Sequence, residues 1–500
     1  MKISVGFRSI DRLVVPCLFV LLLLGQSHSQ TLQPRHLRYR LIDLGTLGGP
    51  NSAETVEFPF INNAGMVVGF SDTAIPDPFN PGGFVPHAFR WRRGLLTDLG
   101  TLPGGSGSFA IWSNNSGQVV GLSDNGHIDP VLGGPEGMAV VWERNGQIVN
   151  LGTLGGTQSL AGGINERGQI VGVAADTIPD PYSLFGWATR TRGFIFEKGV
   201  MRDLGTLGGT DASPSFINER GQIAGISYVE FNPPANPDVC DFHPITTHPF
   251  FWEKGKMIDI GTLGGTCASA TTINNRGQVV GNSNLPGDEI LHPYLWERGR
   301  LTDLGTFGGT YGVANALNDA GEIVGVASTE GDQAFPAYFW KNGKMNNIGT
   351  VKDDLCGIPH SINAMGQVVG ASGCTDEGFE VHGFLWEPGG SMIDLNDFVP
   401  PGSDLRVTDG ETINDRGEIA GSGLLPNGDF HAVVLIPCDA EHGESEGCQD
   451  GGQTVSRLQH RSTRNLAGAS SKLSAREMIA RFHADRARRY QVRLVESPRY

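Results

Sequence analysis

Ser269-Ala270-Thr271-Thr272-Ile273-Asn274-Asn275-Arg276-Gly277-Gln278-Val279-Val280-Gly281 is the stretch that decides the fold. Two short apolar runs flank a polar Asn-x-x-Gly turn, which predicts a β-hairpin. Asn and Gly both tolerate the left-handed backbone that tight turns need. The core, Ile-Asn-x-x-Gly-Gln-Val-Val-Gly, recurs along the chain. Its Asn falls at Asn62, Asn114, Asn165, Asn218, Asn274, Asn318, Asn363 and Asn414. Eight hairpins in one chain predict a repeat architecture.

Each repeat has four parts. A small-residue segment such as Thr157-Gln158-Ser159-Leu160-Ala161 leads into the Asn turn, and the Gly-Gln-Val-Val-Gly run follows. After a variable loop comes an apolar run ending in an aromatic residue, as in His248-Pro249-Phe250-Phe251-Trp252. The last part ends Asp-Leu-Gly-Thr-Leu-Gly-Gly, as in Asp203 to Gly209. Four short strands per repeat predict a β-propeller blade. The first element, Tyr39 to Leu44, is a fourth strand with no blade before it. The last, His431 to Ile436, is a third strand with no fourth after it. The two ends should pair, giving an all-β propeller of eight four-stranded blades without exposed edges. The small-residue strand should lie innermost, with the aromatic-ending strand packed between blades. Loops between second and third strands are long at 72–86, 124–137, 176–192 and 229–247 and should share one face.

The chain opens with Lys2, Arg8 and Arg12, an apolar run from Leu13 to Leu24 interrupted by Pro16, and then Ser27-His28-Ser29. That pattern predicts a secretory signal peptide over residues 1–29 and an exported product, extracellular or periplasmic. No later stretch is long and apolar enough for a membrane helix. Cys17 leaves with the signal. Six cysteines remain, and an even number in an exported chain suggests disulfides. Cys356 and Cys374 are equidistant from Met365 in a hairpin turn and should pair across it. Cys438–Cys448 and Cys240–Cys267 are the remaining pairs by default.

Residues 30–450, which contain the propeller at 30–438, carry 23 Lys/Arg against 49 Asp/Glu, a net −26. Such a surface excludes nucleic acid as a partner. Residues 451–500 reverse the balance, with 11 Lys/Arg against 3 Asp/Glu. Residues 439–500 thus form a polar linker and a basic tail. Ser474 and Glu477 stand at capping-box spacing for a helix there.

The alternation of His87-Ala88-Phe89-Arg90-Trp91, Asp203-Leu204-Gly205-Thr206-Leu207-Gly208-Gly209 and Ile273 to Gly281 resembles the HAF-repeat family of bacterial proteins. The ending, Asp394 to Ser403 followed by His431 to Pro437, resembles it too. The resemblance covers residues 39–437. It implies an extracellular repeat protein and brings no catalytic residues, because the family carries no established activity.

Five repeats place a histidine at the start of the third strand: His87, His248, His292, His382 and His431. Met138, Arg192 and Pro336 hold that place elsewhere. One imidazole per blade is too widely spaced around a ring to share a metal, so a structural hydrogen bond is expected. Gly-Thr-Leu-Gly-Gly lacks the Lys and helix of a phosphate loop and reads as a turn. Asn414-Asp415-Arg416-Gly417-Glu418 has too few oxygens at calcium-loop spacing. No metal site is assigned, and Ca²⁺ in the acidic loops is the one cofactor considered.

Functional residues should be departures from the repeat, since scaffold residues recur. His360 and Asp409 depart from it in the inner-strand segments of repeats seven and eight. His127, Asp129, Asp238, Asp241 and His243 do so in the long loops. None forms a catalytic motif. The sequence therefore favours a monomeric binding scaffold for a glycan, protein or surface component. The alternatives are a channel-mouth enzyme (a polysaccharide lyase, hydrolase or lactonase) and a purely architectural envelope protein. Residues converging on the axis would favour the enzyme.

Overall fold

In a computed structural model, the described residues are 39–52, 61–230, 240, 245–352, 354–373, 381–400 and 402–438. The expected signal peptide and basic tail lie outside them, as do Asp238, Asp241, His243, Cys374 and Cys448. The described residues form a β-propeller of eight four-stranded antiparallel blades. Blade 3 is representative, with strands Ser159–Ile164, Ile170–Pro179, Thr189–Glu197 and Val200–Asp203. Blades 5 and 6 are also joined by one parallel bridge, Leu291 to Tyr311. Tyr39–Asp43 pairs antiparallel with Phe430–Pro437, so the N-terminal strand completes blade 8. Among the described residues no helix is long and apolar enough to cross a membrane.

The apolar core is divided among the seams between blades. Val171, Ile195 and Leu204 meet Ala212, Ile223, Phe250 and Trp252 across the seam of blades 3 and 4. Val67, Phe89 and Trp91 of blade 1 likewise meet Ala420, Ala432 and Val434 of blade 8. In blades 1 to 7 the aromatic end of the third strand stands opposite the β-branched start of the second, as in Val279 with Trp296 and Ile323 with Trp340. In blade 8 Leu435 takes that place opposite Ile419. A seam therefore requires both of its blades, which couples folding around the ring.

The Asn-x-x-Gly turn divides its work between its two named residues. Gly277 takes the positive φ of 78°. Asn274 is not left-handed; it is kept for its side chain. Its Oδ1 accepts from the N–H groups of Arg276 and Gln278, both at 3.0 Å. Its Nδ2 donates to Gln278 Oε1 and to the backbone carbonyl of Asn318 in the next blade, at 2.7 and 3.0 Å. Every repeat makes the same link to the next, at 2.8 to 3.2 Å, so eight amides form a closed ring.

The glycine that ends Gly-Gln-Val-Val-Gly has a different cause. A Cβ on Gly281 would lie 2.0 Å from the Ser269 carbonyl of the bulged inner strand. That inner strand carries a β-bulge between Ala270 and Thr272. The equivalent bulge occurs in blades 2 to 8, at Ile111, Gly162, Ser215, Thr271, Asn315, His360 and Glu411.

The variable loops of blades 1 to 3 are shorter than the sequence implies. Val67–Pro76, Val119–Ile128 and Ile170–Pro179 run on as strands into the expected loops. They re-pair beyond a bulge, as Pro76 with Phe84, Ile128 with Pro135 and Pro179 with Thr189. Asp and Pro in a run are ordinarily read as loop, but these tall two-stranded ears tolerate them at bulges and unpaired edges.

Candidate functional site

Two places in the propeller gather residues that the scaffold does not need. The first is on the innermost strands of blades 7 and 8. His360 and Glu411 occupy the equivalent bulge position, three residues before the ring asparagines Asn363 and Asn414. A bulge re-aims the side chain of its extra residue. In blades 4 and 6 that side chain reaches the next inner strand, as Ser215 Oγ does to Ala270 O and Asn315 Nδ2 to Pro359 O. A second bulge in the inner strand of blade 8 falls between Val407 and Asp409. His360 Nε2 lies 3.3 Å from Asp409 Oδ1. One donor atom each from His360, Asp409 and Glu411 falls within 4.8 Å of the others. Asp409 and Glu411 are buried, at 3% and 4% exposure.

The second place is the rim made by the ears of blades 1 to 3. Their tips share one design, Asp-Pro followed by an apolar residue: Asp77-Pro78-Phe79, Asp129-Pro130-Val131 and Asp180-Pro181-Tyr182. In each, Oδ1 of the aspartate accepts the N–H two residues on at 2.8 Å. This Asx turn, with Pro fixing φ between, holds the apolar side chain outward. Phe79, Val131 and Tyr182 are exposed, as are Ile75, Ile128, Ile178 and Phe185 on the same ears.

Beneath the tips the ears are locked to neighbouring blades. Asp129 is buried, and Thr157 and Gln158 of blade 3 both hydrogen-bond its Oδ2. Burial opposes its ionisation, but the Thr157 hydroxyl and the N–H groups of Leu132 and Val131 outweigh it and hold the carboxyl below its ordinary range. At the next seam the place of Gln158 is taken by Asp211. It is fully buried near Asp180 and accepts the Leu184 N–H at 2.6 Å. Asp211 Oδ1 and Asp180 Oδ2 are buried without a hydrogen-bond partner. Burial, aided by the Asp180 charge, pushes the Asp211 carboxyl up to about 6.

Of the sequence-derived candidates, His360 and Asp409 come together, and Glu411 joins them. Glu411 was missed although it stands at the same offset from its ring asparagine as His360. Asp129 is a buried turn organiser in another part of the ring. His127 is an exposed side chain 3.7 Å from Glu136. These two do not converge with the inner-strand cluster.

The recurrent histidines have a structural partner. His87, His248, His292, His382 and His431 each place Nδ1 2.9 to 3.0 Å from a carboxylate, respectively Asp98, Asp259, Asp303, Asp394 and Asp43. Arg192 does the same with Asp203 at 2.9 Å. The two repeats with Met138 or Pro336 have Asn150 or Asn347 instead of Asp. An aspartate thus stands there only where a histidine or arginine faces it, a correlation legible in the sequence once the pairing is known. Both Asp and Asn accept the N–H two residues on, as in Gly261 to Asp259 and Gly152 to Asn150. Gly-Thr-Leu-Gly-Gly uses its own N–H groups internally. Leu207 N donates to Ser227 Oγ and Gly208 N to Thr206 Oγ1.

Cys240 and Cys267 form a disulfide with Cα atoms 5.3 Å apart. Cys374 and Cys448, the partners expected for Cys356 and Cys438, lie outside the described residues.

No family model matches the chain, and no curated protein sequence does. Solved structures with a similar fold include the β-propeller domain of the Trilobed protease from Pyrococcus furiosus. That match has 10% identity and a TM-score of 0.41, covering 66% of this chain and 98% of that one. An acylaminoacyl peptidase from Pyrococcus horikoshii matches at 11% identity and a TM-score of 0.41, over 67% of this chain but only 53% of the peptidase. TolB from Acinetobacter baumannii matches at 14% identity and a TM-score of 0.31, over 74% of this chain and 79% of that one. These likenesses concern the fold alone.

Proposed function

We propose that this chain is an exported propeller of the HAF-repeat type that binds another protein through the ears of blades 1 to 3. The observation that carries the reading is the triplicated Asp-Pro-hydrophobic tip. Phe79, Val131 and Tyr182 are held outward by the same 2.8 Å aspartate hydrogen bond on three adjacent blades. With Ile75, Ile128, Ile178 and Phe185 they place seven exposed apolar side chains on one face. Exposed apolar groups are a solubility cost unless a partner covers them. Pre-organised tips reduce the ordering cost of binding. Aliphatic Ile and Val among the aromatics suit a protein surface better than a sugar ring, which favours protein over glycan.

The test is selection of displayed peptides on the mature protein, run beside a glycan array. The comparison variant carries Phe79→Ser, Val131→Ser and Tyr182→Ser. Each buried apolar side chain is worth roughly 1.5–3 kcal/mol, so the variant should bind selected peptides at least about 100-fold more weakly. Peptides that bind both proteins equally, or glycans bound with no peptide enriched, would overturn the reading.

A further inference from the structure

We propose that His360, Asp409 and Glu411 form a binding site for a divalent transition-metal ion of the zinc class, set into the innermost strands of blades 7 and 8. The donors are one imidazole nitrogen and two carboxylate oxygens, a set that suits zinc and its neighbours better than Ca²⁺ or Mg²⁺, which prefer oxygen alone. The spacing fits as well. Two ligands about 2.0–2.1 Å from a tetrahedral ion stand roughly 3.3–3.4 Å from each other. His360 Nε2 and Asp409 Oδ1 are 3.3 Å apart, longer than an ordinary N–H to O bond. The third donor is within 4.8 Å of both, so a modest side-chain rotation brings Glu411 into the same shell.

The backbone supports this reading independently. The bulge that aims Ser215 and Asn315 at the neighbouring inner strand also carries His360 and Glu411. Only in blades 7 and 8, among the described bulges, is that residue ionisable. Ser215 and Asn315 there each donate to a backbone carbonyl of the next blade. A histidine beside two carboxylates in a buried place gains most from a bound cation, because burial makes isolated charge costly. Three protein ligands leave a fourth tetrahedral position for water, the arrangement of sites that do chemistry rather than staple a fold.

The measurement is titration of the metal-stripped mature protein with Co²⁺, read by its visible absorption, followed by displacement with Zn²⁺. Wild type should bind about one ion per chain, with the strong absorption of a four-coordinate site. His360→Ala should abolish that signal. Glu411→Gln, which preserves shape, should weaken binding at least about tenfold. Circular dichroism and thermal melting of both variants report whether the propeller is intact. Glu411→Gln carries the test if His360→Ala fails to fold. Absence of Co²⁺ binding to wild type, or equal binding by a folded Glu411→Gln variant, would overturn the proposal. This outcome is independent of peptide binding at the ears.

Discussion

Asn414 donates its side-chain Nδ2 to the backbone carbonyl of Asn62 at 3.1 Å, across 352 residues of sequence. That bond is the last of eight identical links and closes the amide ring between the first and last blades. Around the ring the second Nδ2 proton goes to Gln or Glu four residues on, as in Asn165 to Gln169 and Asn318 to Glu322. The exception is Asn62, which has Met66 at that place and turns to Ser113 Oγ instead.

The ring makes a sharp prediction about substitution. Asn274→Ala strips the acceptor from two N–H groups and the donor from Gln278 and Asn318 in a buried turn. Each buried group left unsatisfied costs about 1–3 kcal/mol, so the loss should be roughly 2–4 kcal/mol after relaxation. Asn274→Asp keeps the acceptor but removes both donors and sets a carboxylate against the Asn318 carbonyl. Urea denaturation of both variants at pH 7 should show substantial destabilisation by each. A stable Asn274→Asp would mean that the turn matters and the inter-blade link does not.

The closure of the propeller carries a pH-sensitive clamp. His431 of the last third strand pairs with Asp43 of the N-terminal strand at 2.9 Å. The Asp43 hydrogen bond raises the His431 pKa above 6.5 despite burial. Burial opposes the ionisation of Asp43, but His431 outweighs it and holds the carboxyl below 3.8. The histidine contribution is complete below its ordinary value and fades as pH rises through the folded value. The aspartate contribution fades as pH falls through its lowered value. A partly exposed pair of this kind is worth at most about 1 kcal/mol. His431→Gln should therefore destabilise most near pH 5–6 and least above about pH 9. A cost that is flat across that range would remove the charge from the account.

Asp211 has the opposite sign. Its pKa is raised to about 6 from 3.8, so the folded state binds its proton more tightly than the unfolded state. Its contribution is favourable below the unfolded value and is lost as pH rises through about 6. The shift corresponds to a cost of up to about 3 kcal/mol at neutral pH. Asp211→Asn should stabilise the protein above pH 6 and change little at pH 4. The amide would also offer Asp180 the donor that Gln158 gives Asp129. Chemical denaturation at pH 4, 6 and 8 gives the answer, and destabilisation at pH 8 would contradict it.

The Cys240–Cys267 bridge closes a loop across 27 residues. In the chain-entropy account a loop of this length contributes roughly 3–4 kcal/mol. The double variant Cys240→Ser with Cys267→Ser should lose about that amount in urea denaturation. Adding reductant should lower the wild type further than the variant, and equal sensitivity would indicate that this bridge contributes little.

Repetition made most of the fold legible from the residues. Ile273-Asn274 and its seven counterparts, the third-strand aromatics and the orphan strands at Tyr39 and Ile436 sufficed to count blades and close the ring. These features are local or periodic, and periodicity is what a single chain displays. The sequence also marked His360 and Asp409 as departures from the repeat. It did not reveal that Glu411 joins them, because the juxtaposition depends on bulges in two neighbouring blades. Nor did it reveal that His248 answers Asp259, or that Asp-Pro turns hold Phe79, Val131 and Tyr182 outward, since both require the register of paired strands. The sequence by itself determined the number of blades and their order. Only the tertiary structure decided which side chains meet across a seam, because those contacts are set by bulge geometry and strand register rather than by spacing along the chain.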